Sequence, residues 1–234
     1  MKIYAISDLH LSTTAEKPMD VFGARWNNYI EKIREDWRAK VTDEDIVLIA
    51  GDISWAMKLE DAITDISTLK DLPGKKVMIR GNHDYWWNGI SKIRAKLPEG
   101  FYCVQNDCVR FPGVVVCGSR GWAVEGSPDF KEQDRKIYLR EAERFKIAFS
   151  KVENCKRDGD VVIALIHYPP FNARRENSLF TDIFEKFGTE KVVYGHLHGK
   201  ESRCDPLIVK GGIEYYLTSC DQVDNKLILI AQVP

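Results

Sequence analysis

Over the first hundred residues, short and nearly continuous apolar runs alternate with segments of helical periodicity. Lys2 to Ser7, Ile46 to Ala50 and Lys76 to Arg80 have the length and β-branched content of strands. Between them, Val21, Trp26, Tyr29, Ile30, Ile33 and Trp37 fall on one face of a helix, and Leu59, Ala62, Ile63, Ile66 and Leu69 on one face of another. Strands separated by helices in this way predict crossover units on a largely parallel sheet. From Phe101 the spacing tightens. "FYCVQNDCVRF" and "GVVVCGS" read as close strands with a turn at Gln105 to Asp107, which predicts antiparallel pairing and the start of a second sheet. Tyr138, Ala142, Phe145, Phe149 and Val152 give a long amphipathic helix over Glu132 to Val152. Asp160 to Ile166, Lys191 to Tyr194, Glu214 to Thr218 and Lys226 to Ala231 complete the strands. No repeat, low-complexity tract or linker composition divides residues 1–234. The expectation is an α/β fold in one domain, with two packed sheets and outer helices.

Composition changes this picture little and narrows the partners. A 44% apolar share among 234 residues is ample for a large core. A net charge of −1, from 34 basic and 35 acidic residues, leaves no global footprint for nucleic acid or an anionic membrane. The apolar stretch in "MKIYAISDLHLS" is too short for a secretion signal, and no run reaches the length of a membrane span, so a cytoplasmic protein is expected. Cys103, Cys108, Cys117, Cys155, Cys204 and Cys220 show no zinc-type spacing and read as buried thiols in a reducing compartment.

Candidate chemistry lies in the histidines. There are five, and each falls just beyond a predicted strand: His10 in "DLH", His83 in "GNHD", His167 in "HYPP", and His196 and His198 in "GHLH". Asp52 follows its strand in the same way. Carboxyl ends of strands are where open α/β sheets gather ligands, because loops from several strands converge there. Singly, most of these residues have bland readings. Asp52 is either a site carboxylate or the N-cap of a helix from Ser54, and His167 is either a ligand or a strand-end histidine bonded to backbone. In "GNHD", Asn82 and His83 point apart in extended chain, so one faces the site directly and the other stands outside it. Asp8, His10, Asp52, Asn82, His167, His196 and His198 together form an oxygen and nitrogen set without thiolate. That set suits Mn²⁺, Fe, Co²⁺ or Zn²⁺ better than Ca²⁺ or Mg²⁺. Seven donors exceed one tetrahedral ion and match two ions sharing a carboxylate. Two ions about 3.5 to 4 Å apart clamp a phosphate and activate a water for in-line attack.

In this order, "DLH", "GD", "GNHD", the single His167 and "GHLH" resemble the signature of the calcineurin-like metallophosphoesterase superfamily. The resemblance runs from Asp8 to His198. It implies a four-layer α/β/β/α sandwich of two mixed sheets flanked by helices, and a dinuclear hydrolase acting on a small phosphorylated substrate. It also implies that Asp8, His10, Asp52 and His198 hold one divalent ion and Asp52, Asn82, His167 and His196 the other, with Mn²⁺ the expected metal. His83 matches a histidine that contacts the phosphate and protonates the leaving oxygen.

The chain also departs from branches of that superfamily. Protein serine/threonine phosphatases carry G-D-x-x-D-R-G, whereas "GDISWAM" places Trp55 at the second aspartate and supplies no arginine. The aspartate that would orient His83 is therefore missing; Asp84 either takes that catalytic role or caps a turn. Lipid A pathway diphosphatases have arginine where His83 stands, and repair nucleases of this type append a DNA-binding domain for which 234 residues leave little room. A phosphodiester or small nucleotide is the expected substrate. The alternatives are a phosphomonoester, a phosphoprotein included, and a non-catalytic scaffold of the same fold. Residues 118–135 read either as a lid, with Arg120 or Trp122 reaching substrate, or as a surface loop. Arg174 and Arg175 either grip a phosphate or sit on a solvated helix. Oligomeric state is not set by these features.

Overall fold

The computed structural model describes residues 1–13, 17–199 and 205–234, so Cys204 lies outside the described residues. Among the described residues, eleven strands and five α-helices follow one another in two halves. The first half comprises β1 (Lys2–Ile6), α1 (Tyr29–Lys40), β2 (Ile46–Ile49), α2 (Leu59–Ser67), β3 (Lys75–Met78), α3 (Ile90–Arg94) and β4 (Phe101–Cys103). The second comprises β5 (Asp107–Phe111), β6 (Val114–Ser119), α4 (Arg135–Cys155), β7 (Val161–Ile166), α5 (Leu179–Lys186), β8 (Lys191–Tyr194), β9 (Leu207–Lys210), β10 (Ile213–Leu217) and β11 (Ile228–Gln232). One sheet has the order β11-β1-β2-β3-β4 and the other β5-β6-β7-β8-β10-β9. β1 to β4 are parallel, as are β6, β7, β8 and β10; β11, β5 and β9 run antiparallel to their neighbours.

Side-chain alternation explains the layering. In β1, Ile3 and Ala5 face the second sheet while Tyr4 and Ile6 face the helices; in β6, Val114 and Val116 face inward while Val115 and Cys117 face α4. Central strands of both sheets are thus apolar on both faces, and β1, β2, β6 and β7 read as unbroken runs for that reason. Trp37 of α1, Ile66 of α2 and Ile93 of α3 pack on the first sheet, and Phe145 and Phe149 of α4 with Phe180 and Phe184 of α5 pack on the second. The result is the four-layer α/β/β/α sandwich.

Three local expectations are corrected. The turn at Gln105 to Asp107 does not close a hairpin: β4 pairs in parallel with β3, and only at Asp107 does the chain enter the second sheet, pairing β5 with β6 around Pro112 and Gly113. The tight spacing there reflects a crossing between sheets, which periodicity cannot distinguish from a reversal within one. The first helix starts at Tyr29, after two 3-10 turns at Asp20–Phe22 and Ala24–Trp26, and Val21 is exposed rather than on the packed face. No helix starts at Ser54; α2 begins at Leu59, so Asp52 caps nothing.

Leu48 is wholly buried between the sheets, whereas Leu229 on β11 is 49% exposed. Leu48→Ala is expected to lower unfolding free energy by about 2 to 5 kcal/mol and Leu229→Ala by less than about 0.5 kcal/mol, measured by urea denaturation. Comparable losses would contradict the layering.

Candidate metal centre

The loops leaving the parallel strands are zipped to one another by backbone bonds before any side chain is considered. Asp8 N donates to Gly51 O (3.0 Å), His10 N to Asp52 O (3.0 Å) and Trp55 N to Leu11 O (2.9 Å), so the loops after β1 and β2 run side by side. Ser7 N donates to Thr218 O (2.8 Å) and Cys220 N to Ser7 O (3.1 Å), which ties the end of β1 to the end of β10 in the other sheet. Gly195 N donates to His167 O (3.1 Å). These bonds gather the segments after β1, β2, β7, β8 and β10 at one edge, and His83 N, donating to Asp52 Oδ1, brings in the segment after β3.

Holding them there strains the backbone. Among the described residues, nine non-glycine residues have positive φ, and four of them are Asp8 (59°), His10 (45°), Asp52 (52°) and His196 (72°). Such clustering of unfavourable conformations marks functional sites, where surrounding bonds over-determine the geometry. The glycines of "GNHD" and "GHLH" serve close approach instead: a methyl on Gly81 would collide with the Asp52 carboxylate, and one on Gly195 with Asp8 and Ser7.

Asp8 and Asp52 are 0% and 1% exposed and lie in one cluster with His167. Asp8 accepts from Ser7 Oγ (2.5 Å) and His196 N (3.1 Å). Asp52 Oδ1 accepts from His83 N (2.8 Å), which leaves Oδ2 between His10 Nε2 (3.8 Å) and His167 Nε2 (3.5 Å). Asn82 Oδ1 sits between His167 Nε2 (2.7 Å) and His196 Nδ1 (2.8 Å). His198 Nε2 approaches Asp8 Oδ1 at 3.3 Å. Two overlapping donor groups result: Asp8, His10 and His198 in one, Asp8, Asp52 and His167 in the other, each with its ligand atoms within 4.8 Å. Asn82, not His83, turns its side chain into the cluster. His83 stands at the rim, its ring against Trp55 (4.5 Å) and its Nδ1 3.5 Å from the Tyr85 hydroxyl.

Electrostatics separates the histidines. Burial alone would raise the Asp8 and Asp52 carboxyls, but His198 beside Asp8 and His167 beside Asp52 hold Asp8 well below the usual range and Asp52 at about 2. Against its own burial, His167 is raised to about 9 by Asp52, and His198 to about 10 by Asp8 and Asp221. His10 is lowered by burial to about 4, and His196 by burial and by His167 to about 3. Burial also lowers His83.

These residues fit metal ions on three counts. The donors are carboxylate, amide and imidazole, a set suited to divalent transition metals. His167 Nδ1–H donates to Ala50 O (2.9 Å) and His198 Nδ1–H to Asp221 Oδ1 (2.7 Å), which aims each Nε2 at the carboxylates, the usual orienting arrangement behind a ligating histidine. His198 Nε2 is moreover buried with no hydrogen-bond partner among the described residues.

Reasoning from sequence missed Asp221 and Trp55. Asp221 is 1% exposed and also accepts from Gly199 N (2.9 Å). It follows β10 as Asp8 follows β1, and that shared position was the available signal. Trp55, noticed only as the loss of an aspartate, stacks on His10 (4.6 Å, 17°) and leans over His83, forming an aromatic wall.

Of the two readings of Asp84, its hydrogen bonds agree with the turn. Its carboxylate accepts from Ile53 N (2.9 Å), Ser54 N (3.2 Å), Gly81 N (2.7 Å) and Trp86 Nε1 (3.1 Å), and no bond runs to the His83 ring. Asp84 therefore staples the "GD" loop to the "GNHD" turn. Burial and the nearby Asp52 raise it to about 6. Arg174 pairs with Glu176 (3.1 Å) and Arg175 with Asp205 (2.6 Å), while Arg120 lies over Trp122 (4.5 Å) and 3.7 Å from Glu141.

The family model for calcineurin-like phosphoesterases matches residues 1–200, and the chain belongs to that family. No curated protein matches it at a significant level. Among solved structures, a protein of unknown function from Aquifex aeolicus is 16% identical, covering 97% of this chain and 95% of its own, with a TM-score of 0.53. A Thermus thermophilus protein is 13% identical, covering 97% and 96%, with a TM-score of 0.55. At these identities the likeness is one of fold.

Asp84→Ala removes the acceptor from four N–H groups. It is expected to cost roughly 1 to 3 kcal/mol of stability, measured by denaturant unfolding, and Asp84→Asn to restore part of it. Full stability in Asp84→Ala would show that the staple is dispensable.

Proposed function

We propose that the chain, acting as one domain over residues 1–234, is a dinuclear metal-dependent phosphoesterase that favours phosphodiesters or small nucleotides. The observation that carries the reading is the convergence of two buried carboxylates, Asn82 and four histidines, with His167 and His198 oriented by Ala50 O and Asp221. In this reading Asp8, His10, Asp52 and His198 hold one ion, and Asp52, Asn82, His167 and His196 the other. Here Asp52 is the shared ligand, supported by its Oδ2 lying between His10 and His167, although Asp8 is the residue common to both donor groups described above. Mn²⁺ is the metal we expect to support activity best. When bound, the ions supply the positive charge that attracts phosphate and activates a water nucleophile. His83, at the rim and free of the inner cluster, delivers a proton to the departing oxygen. Trp55 holds the His10 and His83 rings in place. A cytoplasmic setting is part of the same proposal; among the described residues no helix is long and apolar enough to cross a membrane.

The diester preference rests on charge. A monoester dianion carries one more negative charge than a diester, and Arg120, Arg174 and Arg175 are each already near a carboxylate. A monoesterase reading has one kind of observation in its favour: Arg80, two residues before Asn82, and Arg120 each have a buried Nε without a hydrogen-bond partner among the described residues.

Metal analysis under saturating Mn²⁺ is expected to find about two ions per chain. Asp52→Asn should lose more metal than Asp8→Asn, since it serves both ions; equal losses would remove the case for Asp52 as the bridge. His83→Ala should lower turnover by roughly 10² to 10⁴-fold with poor leaving groups while metal content holds. An emptied site would instead make His83 a ligand. Comparison of kcat/KM for bis(p-nitrophenyl) phosphate and p-nitrophenyl phosphate at one pH should favour the diester. Preference for the monoester would point to Arg80 and Arg120.

A further inference from the structure

Beside the histidine cluster a cavity of about 500 Å³ opens between the segment after β6 and the loop after β7. That volume lies within the roughly 300 to 1,000 Å³ of small-molecule sites. His196 belongs to both places: its Nδ1 meets Asn82 Oδ1, and its ring lies against Tyr168 at 4.3 Å on the cavity wall. From Tyr168 the wall continues through Val124, Phe171, Leu197 and Ile208, all apolar. Tyr168 is itself held by Trp122 (5.2 Å). Residues 123–129 therefore form one side of this cavity.

The polar groups of the cavity discourage an anion. Among the described residues the lining holds one arginine, Arg175, which is tied to Asp205 at 2.6 Å, and Asp129 adds a carboxylate with no salt bridge among those residues. Two acids against one committed base suit neither a second phosphate nor a carboxylate. Ser127 Oγ is likewise spent on Val124 O (2.6 Å).

We propose that this cavity is the specificity pocket, and that it receives an uncharged aromatic substituent of the phosphoester between Tyr168 and the Val124 segment. The proposal rests on the phosphoesterase reading for the position of the phosphate and adds the class of ester group. An aromatic ring offers the flat apolar face that Tyr168 and Phe171 stack against. The charge on the phosphorus centre stays with the cluster, and the wall selects by shape and apolar area.

The test titrates the Mn²⁺-loaded full-length protein with phenylphosphonate and methylphosphonate, which present the same charged head. Phenylphosphonate is expected to bind about tenfold tighter. Ala173 is an exposed cavity residue, so Ala173→Trp fills the mouth without disturbing the core and should bring the phenyl affinity down to the methyl one. 4-Phosphonobenzoate, with its added carboxylate, should bind more weakly than phenylphosphonate. Equal affinities for the two phosphonates, a phenyl advantage that survives Ala173→Trp, or tighter binding of the benzoate would each overturn the pocket. Failure to hydrolyse bis(p-nitrophenyl) phosphate would sink the phosphoesterase reading separately, and a phenyl advantage erased by Ala173→Trp would still establish the pocket.

Discussion

Two carboxylates, Asp8 and Asp52, are taken out of water in one cluster with His167, and the structure around them is organised to make that tolerable. A buried charge without compensation costs several kcal/mol, and two of like sign cost more. Compensation comes from backbone N–H groups of His196 and His83 and from the rings of His198 and His167, which lie 3.3 Å from Asp8 and 3.5 Å from Asp52. Each compensating group arrives from a different strand end. The carboxylates can be buried only if both sheets are in register at their carboxyl edges, and the Ser7 bonds to Thr218 and Cys220 supply that register.

The same constraint accounts for the backbone. Asp8, His10, Asp52 and His196 all adopt positive φ, each at a cost of order 1 kcal/mol or more. They persist because Asp84 staples two of the loops and the sheet-to-sheet bonds hold the others. Strain here and regularity in the strands are two parts of one arrangement: the apolar layers provide the stability, and the loops at one edge spend it on geometry.

Aromatic side chains set the character of the surroundings. On one side Trp55 covers His10 and His83, in the place where another branch of the family carries an aspartate. On the other, Tyr168 covers His196 and opens onto an apolar cavity. The centre is polar and its flanks are flat and largely uncharged, and Arg174 and Arg175 are engaged with Glu176 and Asp205.

Much of this was legible in the sequence because strands buried on both faces leave continuous apolar runs, and because histidines and aspartates placed just after such runs have only one edge of the sheet to occupy. Two packed sheets with outer helices, and the gathering of Asp8, His10, Asp52, Asn82, His167, His196 and His198, follow from those two facts; the four-layer order was implied by the resemblance of the motifs to the family. Other features depend on distances between segments far apart in the chain, which periodicity does not encode. Whether the turn at Gln105 reverses within a sheet or crosses to the other depends on which strand edge is open, and β3 offered its edge to β4. Asp84 looked like a partner for its neighbour His83, yet four N–H groups from Ile53, Ser54, Gly81 and Trp86 lay within its reach and the His83 ring did not. Asp221 became the support of His198, 23 residues away, only when β10 came to lie beside β8. Residue types and their order determined what chemistry this chain can carry; tertiary packing decided which side chain serves which, because a hydrogen bond is won by proximity in space.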